Sequence, residues 1–405
     1  MERRGFLKLA FVAAGFATTR DGADRRVAML RGRGLWAARL DDPAYGGRGD
    51  GTTLNDGPLL QALADMPASG GTLIIPPAGP WLFDAVDLAQ AGRRGVVLEM
   101  TGAELVKAPH TRTHMFRDEA GRTRGLTVVG GSFDLSAWAF RVGDTVSAFF
   151  LVRPDEASFV DVTVRNGIEE GLKLYKPSIL RVHGGRFERL RNNGIQIHAP
   201  DDDGYRGDRD DRDTEDVVVE GATFADVDDG LHGMEGQGVS ISANSRRVTA
   251  RGVRVLSCTF ERCVRGAWAE FNQAGVPGVD IRFERNRVEA AECHGLGMVG
   301  VRGGAIRNNV LTDIGSMIPG TPGTAASEVA GLVISGSEAT LGEAMVVEDN
   351  EIVERRTGRA ARMQYGIVVR RQDRVTVRRN TVRGATVRAV EVETRTVRGE
   401  IEATG

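Results

Sequence analysis

Lys173, Tyr175, Gln196, His198, Trp268 and Glu270 each stand two or four residues after a glycine that opens a short alternating segment: GLKLY (171), GIQIH (194) and GAWAE (266). Gln237, Arg265 and His294 stand immediately before such glycines, as do Glu170 and Asn193. Imidazole, ammonium and carboxyl groups can move or neutralise a proton, and aromatic rings cover the apolar faces of sugars. Residues of these types at one recurring offset are what a saccharide site needs, provided that the segments stack in register.

The elements that must position them are strands. In a period-two reading, Leu172/Leu174, Ile195/Ile197, Val239/Ile241 and Ala267/Ala269 point inward. Three outward columns then follow: Lys173, Gln196, Ser240, Trp268; Arg153, Tyr175, His198, Ser242, Glu270; and Glu170, Asn193, Gln237, Arg265, His294. The Gly-led segment recurs at GVSIS (238), GLGMV (295), GLVIS (331) and GIVVR (366), with successive starts 23, 44, 28, 29, 36 and 35 residues apart. A second repeat, RNRV (285), RNNV (307), DNEI (349) and RNTV (379), sets an Asn two residues before an aliphatic. A minimum spacing in the low twenties with variable excess predicts a solenoid of parallel coils whose insertions sit in turns. Aligned Asn side chains would form a hydrogen-bonded ladder along it.

The 53 Gly among 405 residues, without a Gly-X-Y period, favour many short strands over long helices. The formal charge of −2 argues against nucleic acid as a partner. Cys258, Cys263 and Cys293 are too few for a disulfide framework, contain no CxxC pair, and read as buried thiols.

These repeats resemble the right-handed parallel β-helix proteins of the pectate lyase and polygalacturonase superfamily. The resemblance spans residues 43–400 and includes the opening YGGRGDGTTLNDGPLLQALADM followed by GGTLIIPPAGPWLF. It implies an all-β chain, a single-stranded right-handed parallel β-helix over 91–405. A cap over 40–90 would carry a helix with the apolar stripe Leu59, Leu60, Leu63 and Met66. Asp50 and Asn55 read as turn and capping residues.

Two insertions border the outward columns. DDDGYRGDRDDRDTED (201–216) follows His198; Asp201, Asp202 and Asp203 read either as a solvated loop or as a calcium site. DVDDGLHGMEGQG (226–238) carries Asp228, Asp229 and Glu235. Polygalacturonases carry N-T-D, D-D, G-H-G and R-I-K in that order. Here NNG (192–194), Asp228-Asp229 and GQGVSIS (236) are similar, with Gln237 in place of His and no R-I-K. The resemblance implies hydrolysis of a polysaccharide or oligosaccharide, with Asp228, Asp229, Glu235 and Glu270 as candidate acid and base and Trp268 and Tyr175 as sugar platforms. The alternative is elimination or C5 epimerisation of a uronate, with Lys173 or Arg265 neutralising the carboxylate and His198 and Tyr175 as base and acid. A third reading is a non-catalytic glycan-binding or surface protein.

The N-terminus, MERRGFLKLAFVAAGFA, resembles the twin-arginine export signal R-R-x-F-L-K. It implies a signal segment over 1–25 and a periplasmic or secreted bacterial protein. The apolar run is too short for a membrane span. Oligomeric state is left open.

Overall fold

A computed structural model describes residues 19–402 apart from 123, 142, 201–211, 229–235, 244, 273–275, 316–328, 338, 359–361 and 394–396. Period-two strands pair in parallel from coil to coil, and the chain winds as a right-handed parallel β-helix. Eleven strands form the sheet that carries the outward columns: β1 (Val86–Asp87), β2 (Phe116–Asp118), β3 (Phe149–Val152), β4 (Leu172–Tyr175), β5 (Ile195–His198), β6 (Gln237–Ala243), β7 (Arg265–Phe271), β8 (His294–Val299), β9 (Ala330–Ser335), β10 (Tyr365–Arg370) and β11 (Arg388–Val392). The other strands stack into the remaining walls.

Inward residues line up by type. Phe116, Phe149, Leu172, Ile195, Val239, Ala267, Leu296, Leu332 and Ile367 form one buried column. On another wall Phe187, Phe224 and Phe260 stack at ring separations of 5.1 and 5.0 Å. That stack explains the recurring glycine. A Cβ on Gly194 would lie 2.4 Å from the Phe224 ring, and one on Gly238 would lie 2.3 Å from Phe260. Glycine at these two positions is therefore a packing requirement, because a side chain would displace a core ring, while at Gly295, Gly331 and Gly366 a Cβ would meet Leu311, Ile352 and Val382 instead.

The Asn repeat forms the expected ladder. Asn286 Nδ2 donates to Asn309 Oδ1 at 3.0 Å, Asn309 Nδ2 to Asn350 Oδ1 at 2.9 Å, and Asn350 Nδ2 to Asn380 Oδ1 at 2.8 Å. Within RNNV the rung is Asn309, one residue later than the motif reading places it; Asn308 takes the left-handed turn conformation with φ 55°. All four ladder residues are at most 2 % exposed. Replacing Asn309 strands the backbone and side-chain N–H donors of Asn286 and takes a donor from Phe283 O. Asn309→Leu is expected to lower unfolding free energy by about 3 kcal/mol in urea titrations, a loss set by buried unpaired groups. A change of a few tenths would mean that the ladder adds no stability.

Helix α1 (Arg20–Gly32) covers the outer wall of the first coils through Ala23, Val27 and Leu30, against Ala37 and Ile74. Residues 1–18 of the expected signal segment lie outside the described residues, and 20–25 open α1. Helix α2 (Asp56–Asp65) buries Leu59, Ala62 and Leu63 in the solenoid core, with Met66 at its end and Leu60 partly buried. Asn55 is fully buried, with its amide bonded to the carbonyls of Arg48, Thr53 and Leu82. Asp50 accepts from the backbone of Thr52 and Thr53 as a turn residue, whereas Asn55 stands at the N-cap position of α2 but its side chain makes no capping bond to the helix. Cys258, Cys263 and Cys293 are buried free thiols. Burial pushes Cys258 and Cys263 up to about 12. Among the described residues no helix is long and apolar enough to cross a membrane.

Candidate functional site

The strand register places the outward residues side by side. Lys173, Gln196, Ser240 and Trp268 occupy successive coils, as do Tyr175, His198, Ser242 and Glu270, and likewise Gln237, Arg265 and His294. The column expected to begin at Arg153 begins instead at Val152, which pairs with Tyr175. Arg153 belongs to the following turn, with φ 53°.

Lys173 lies at the centre of a charge cluster in which Glu169 was not foreseen. Its ammonium is 3.3 Å from Glu169 Oε2 and 3.2 Å from Glu170 Oε2. Burial alone would lower the Lys173 pKa, but the negative charges of Glu170 and Glu169 outweigh it and raise it. Burial also opposes ionisation of Glu170, yet Lys173 and a hydrogen bond from Glu169 prevail and hold it below the usual carboxylate range. Burial and then the charge of Glu170 push Glu169 up to about 8. Two adjacent carboxyls thus part company, one ionised and one protonated at neutral pH. Asn192 fixes the anion by donating to Glu170 Oε1 at 3.0 Å.

His198 is the next group along. Its Nδ1 is 2.8 Å from Ser242 Oγ, and its ring meets Tyr175 edge-on at 5.2 Å. Burial lowers its pKa to about 4, so the imidazole is neutral at physiological pH. The ring row continues from Tyr175 to Phe150 at 5.1 Å and on to His114 at 4.6 Å. His114 accepts from Ser147 N, and burial holds its pKa at about 3. His114 was missed because it precedes its strand, with no glycine to mark the register.

The far end of the strip is built differently. Trp268 is 5 % exposed and cannot serve as an open sugar platform. Its indole lies across the next coil, where a Cβ on Gly297 would be 2.1 Å from the ring. Arg265 stacks on one face at 4.1 Å and His294 packs against it at 5.4 Å. Burial lowers Arg265, and burial followed by Arg265 brings His294 to about 3. Glu270 accepts from Trp268 Nε1 at 2.9 Å and from the Asn272 amide, which makes it the anchor of the indole. Gln196 Oε1 and Gln237 Oε1 are buried acceptors without a donor among the described residues, on the outward columns beside Lys173 and Arg265 respectively.

Asp228, directly after the strand Thr223–Val227, is exposed, with its N–H bonded to Leu190 O. Asp229 and Glu235 lie outside the described residues, as do Asp201, Asp202 and Asp203 of the calcium reading. Among the described residues no group of three or more His, Cys, Asp or Glu side chains is placed to hold a metal ion.

Three neutral histidines, His114 buried and His198 and His294 half-buried, give acid lability. The unfolded chain protonates them near pH 6.5, whereas the fold resists until about 4 for His198 and about 3 for His114 and His294. Glu169 and Glu99, both raised by burial, act in the opposite sense. The imidazoles of the unfolded chain outweigh the two glutamates only as they fill below pH ~6, so stability should fall by about 1 kcal/mol or more in total between pH 6.5 and 5. Urea titrations at the two pH values measure it, and equal or greater stability at pH 5 would contradict the burial of these rings.

No protein-family model and no curated protein sequence matches the chain. Solved structures do. The Azotobacter vinelandii mannuronan C-5 epimerase AlgE4 A-module aligns with TM-score 0.56 at 13 % identity, over 91 % of this chain and 100 % of that one. The Streptococcus pneumoniae surface protein and adhesin PfbA gives 0.56 at 14 %, over 88 % and 100 %. The tailspike protein of E. coli bacteriophage HK620, in complex with pentasaccharide, gives 0.58 at 14 %, over 90 % and 66 %. At such identities the likeness carries the fold alone, and the fold it shares with this chain is the parallel β-helix.

Proposed function

We propose that the chain removes the C5 proton of a uronate within a polysaccharide, in an elimination or an epimerisation. One observation carries this reading: a neutral imidazole, His198, is held by Ser242 beside Tyr175, one strand away from Lys173 and the protonated Glu169. A carbon acid needs an unprotonated base at working pH and donors that take up the charge growing on the carboxylate. With Nδ1–H donated to Ser242, His198 Nε2 has a free lone pair and takes the C5 proton. The electron pair moves into the carboxyl group, where Lys173 and the Glu169 acid proton stabilise the enediolate. Tyr175 then either protonates the departing O4, leaving a C4–C5 double bond, or returns a proton to C5 from the opposite side.

Hydrolysis fits the described residues less well. Its two carboxyls must lie about 5–5.5 Å apart for retention or about 6.5–9.5 Å apart for inversion, on either side of the scissile bond. Glu169 and Glu170 instead share the Lys173 ammonium on one side, and Glu270 is committed to Trp268. The reading is tested by incubating the full chain with a panel of neutral and uronate polysaccharides, following reducing ends and absorbance near 235 nm. Activity confined to uronate polymers is expected. Reducing ends from neutral polymers without absorbance would overturn it in favour of hydrolysis.

A further inference from the structure

Four tryptophans occur in the chain, and one is out of place. Trp81 is fully buried, Trp268 is 5 % exposed and Trp36 is partly buried, whereas Trp138 is 85 % exposed. An indole held in water forfeits most of the hydrophobic gain that its burial would bring. Trp138 is nevertheless held on an ordered support. It sits on a one-turn 3-10 helix (Ala137–Ala139), where Ala139 N donates to Ser136 O at 2.8 Å and Phe140 N to Ala137 O at 3.2 Å. The base of the turn is fastened by Asp134. Its carboxylate accepts from Ser136 N at 2.9 Å, from Arg165 Nε at 3.2 Å and from Asn166 Nδ2 at 2.9 Å.

The location gives the indole a purpose. The segment 135–148 leads into β3, the coil directly before β4, just as Glu169 and Glu170 lead into β4. Its anchors Arg165 and Asn166 lie four and three residues before Glu169. Phe140, half-buried, lies over the Lys107 ammonium at 5.3 Å, and Lys107 and Lys173 both act on His114. Trp138 therefore sits in the connection that enters the outward sheet at the same edge as Glu169 and Glu170, one coil toward the N-terminus. Coils repeat every ~4.8 Å, close to the length of one sugar unit, so a glycan running along the solenoid axis meets a new coil with nearly every unit.

We infer that Trp138 is a stacking platform for the same glycan, binding a sugar unit just beyond the reacting one on the N-terminal side. The inference rests on the proposed saccharide site, and it adds that recognition reaches beyond the reacting unit, so long chains are favoured over short ones. An indole face matches the apolar face of a pyranose ring, and truncating such an anchor at an interface commonly weakens binding by about ten- to a hundredfold.

The test uses the full chain in three forms: unaltered, Trp138→Ala and Trp138→Phe. Acrylamide quenching of tryptophan fluorescence is followed with and without a saturating polymer from the panel, and kcat and KM are measured on polymer and on a disaccharide or trisaccharide. Polymer is expected to shield the quenchable emission of the unaltered chain. Trp138→Ala is expected to raise KM for polymer about tenfold or more while the disaccharide KM stays put, and Trp138→Phe is expected to recover most of the loss. Equal quenching with and without bound polymer, or equal KM for polymer in Trp138→Ala, would overturn the platform. If no substrate turns over, affinity electrophoresis of the three forms through the same polymers decides: retardation of the unaltered chain lost in Trp138→Ala supports the platform. Equal migration of all three overturns it, while the uronate chemistry is judged separately by its products.

Discussion

His198→Gln is expected to lower kcat on a uronate polymer by about 10²–10⁴-fold, the usual worth of a positioned general base. The amide has nearly the volume of the imidazole and can keep the bond to Ser242 Oγ, so the strip stays assembled while the proton acceptor is lost. The pH profile separates a base from a prop. His198 must be neutral to accept a proton, so activity in the unaltered chain should fall as pH drops through about 4. Glu169 must be protonated to donate, so a second fall is expected as pH rises through about 8. If His198 merely packed against Tyr175, the acid limb would survive in His198→Gln and the loss would be small.

Lys173→Met should be equally damaging, for an electrostatic reason. The thioether replaces the volume of the lysine stem but removes the cation that both Glu169 and Glu170 reach. Glu170 then loses the charge that keeps it ionised in a buried position, and the Lys173 ammonium no longer meets a substrate carboxylate. A fall in kcat/KM of about 10³-fold is expected, of the order found when a single preorganised electrostatic partner is deleted. Lys173→Arg keeps the charge but alters its shape and reach, and should recover only part of the activity. Loss confined to KM, with kcat intact, would make Lys173 a uniform binder and remove it from stabilisation of the enediolate.

The residues that could be read in the sequence are those whose position follows from period two. Once Gly171, Gly194, Gly238 and Gly266 set the phase, Lys173, Gln196 and Trp268 had to share a column, and Tyr175, His198 and Glu270 the next. The Asn ladder followed from the same regularity, with a slip of one residue at the doubled Asn308-Asn309. What escaped lies where periodicity stops. Glu169 is in a turn, and only the folded path brings its carboxyl to Lys173. Trp268 has the composition of a sugar platform, but its fate depends on the absence of a side chain at Gly297, 29 residues later and one coil away. Trp138 was passed over for the converse reason: it follows no repeat, and nothing in the sequence tells an exposed indole from a buried one.

The central claim is that carbon chemistry at C5, with His198 as base, is the reaction of this strip. Turnover of a uronate polymer in deuterium oxide, with C5 followed by proton NMR, tests it most directly. The account predicts that C5 protons of processed units are lost, either to an unsaturated product or through replacement by deuterium, and that His198→Gln abolishes the loss. New reducing ends with every C5 proton retained would contradict it.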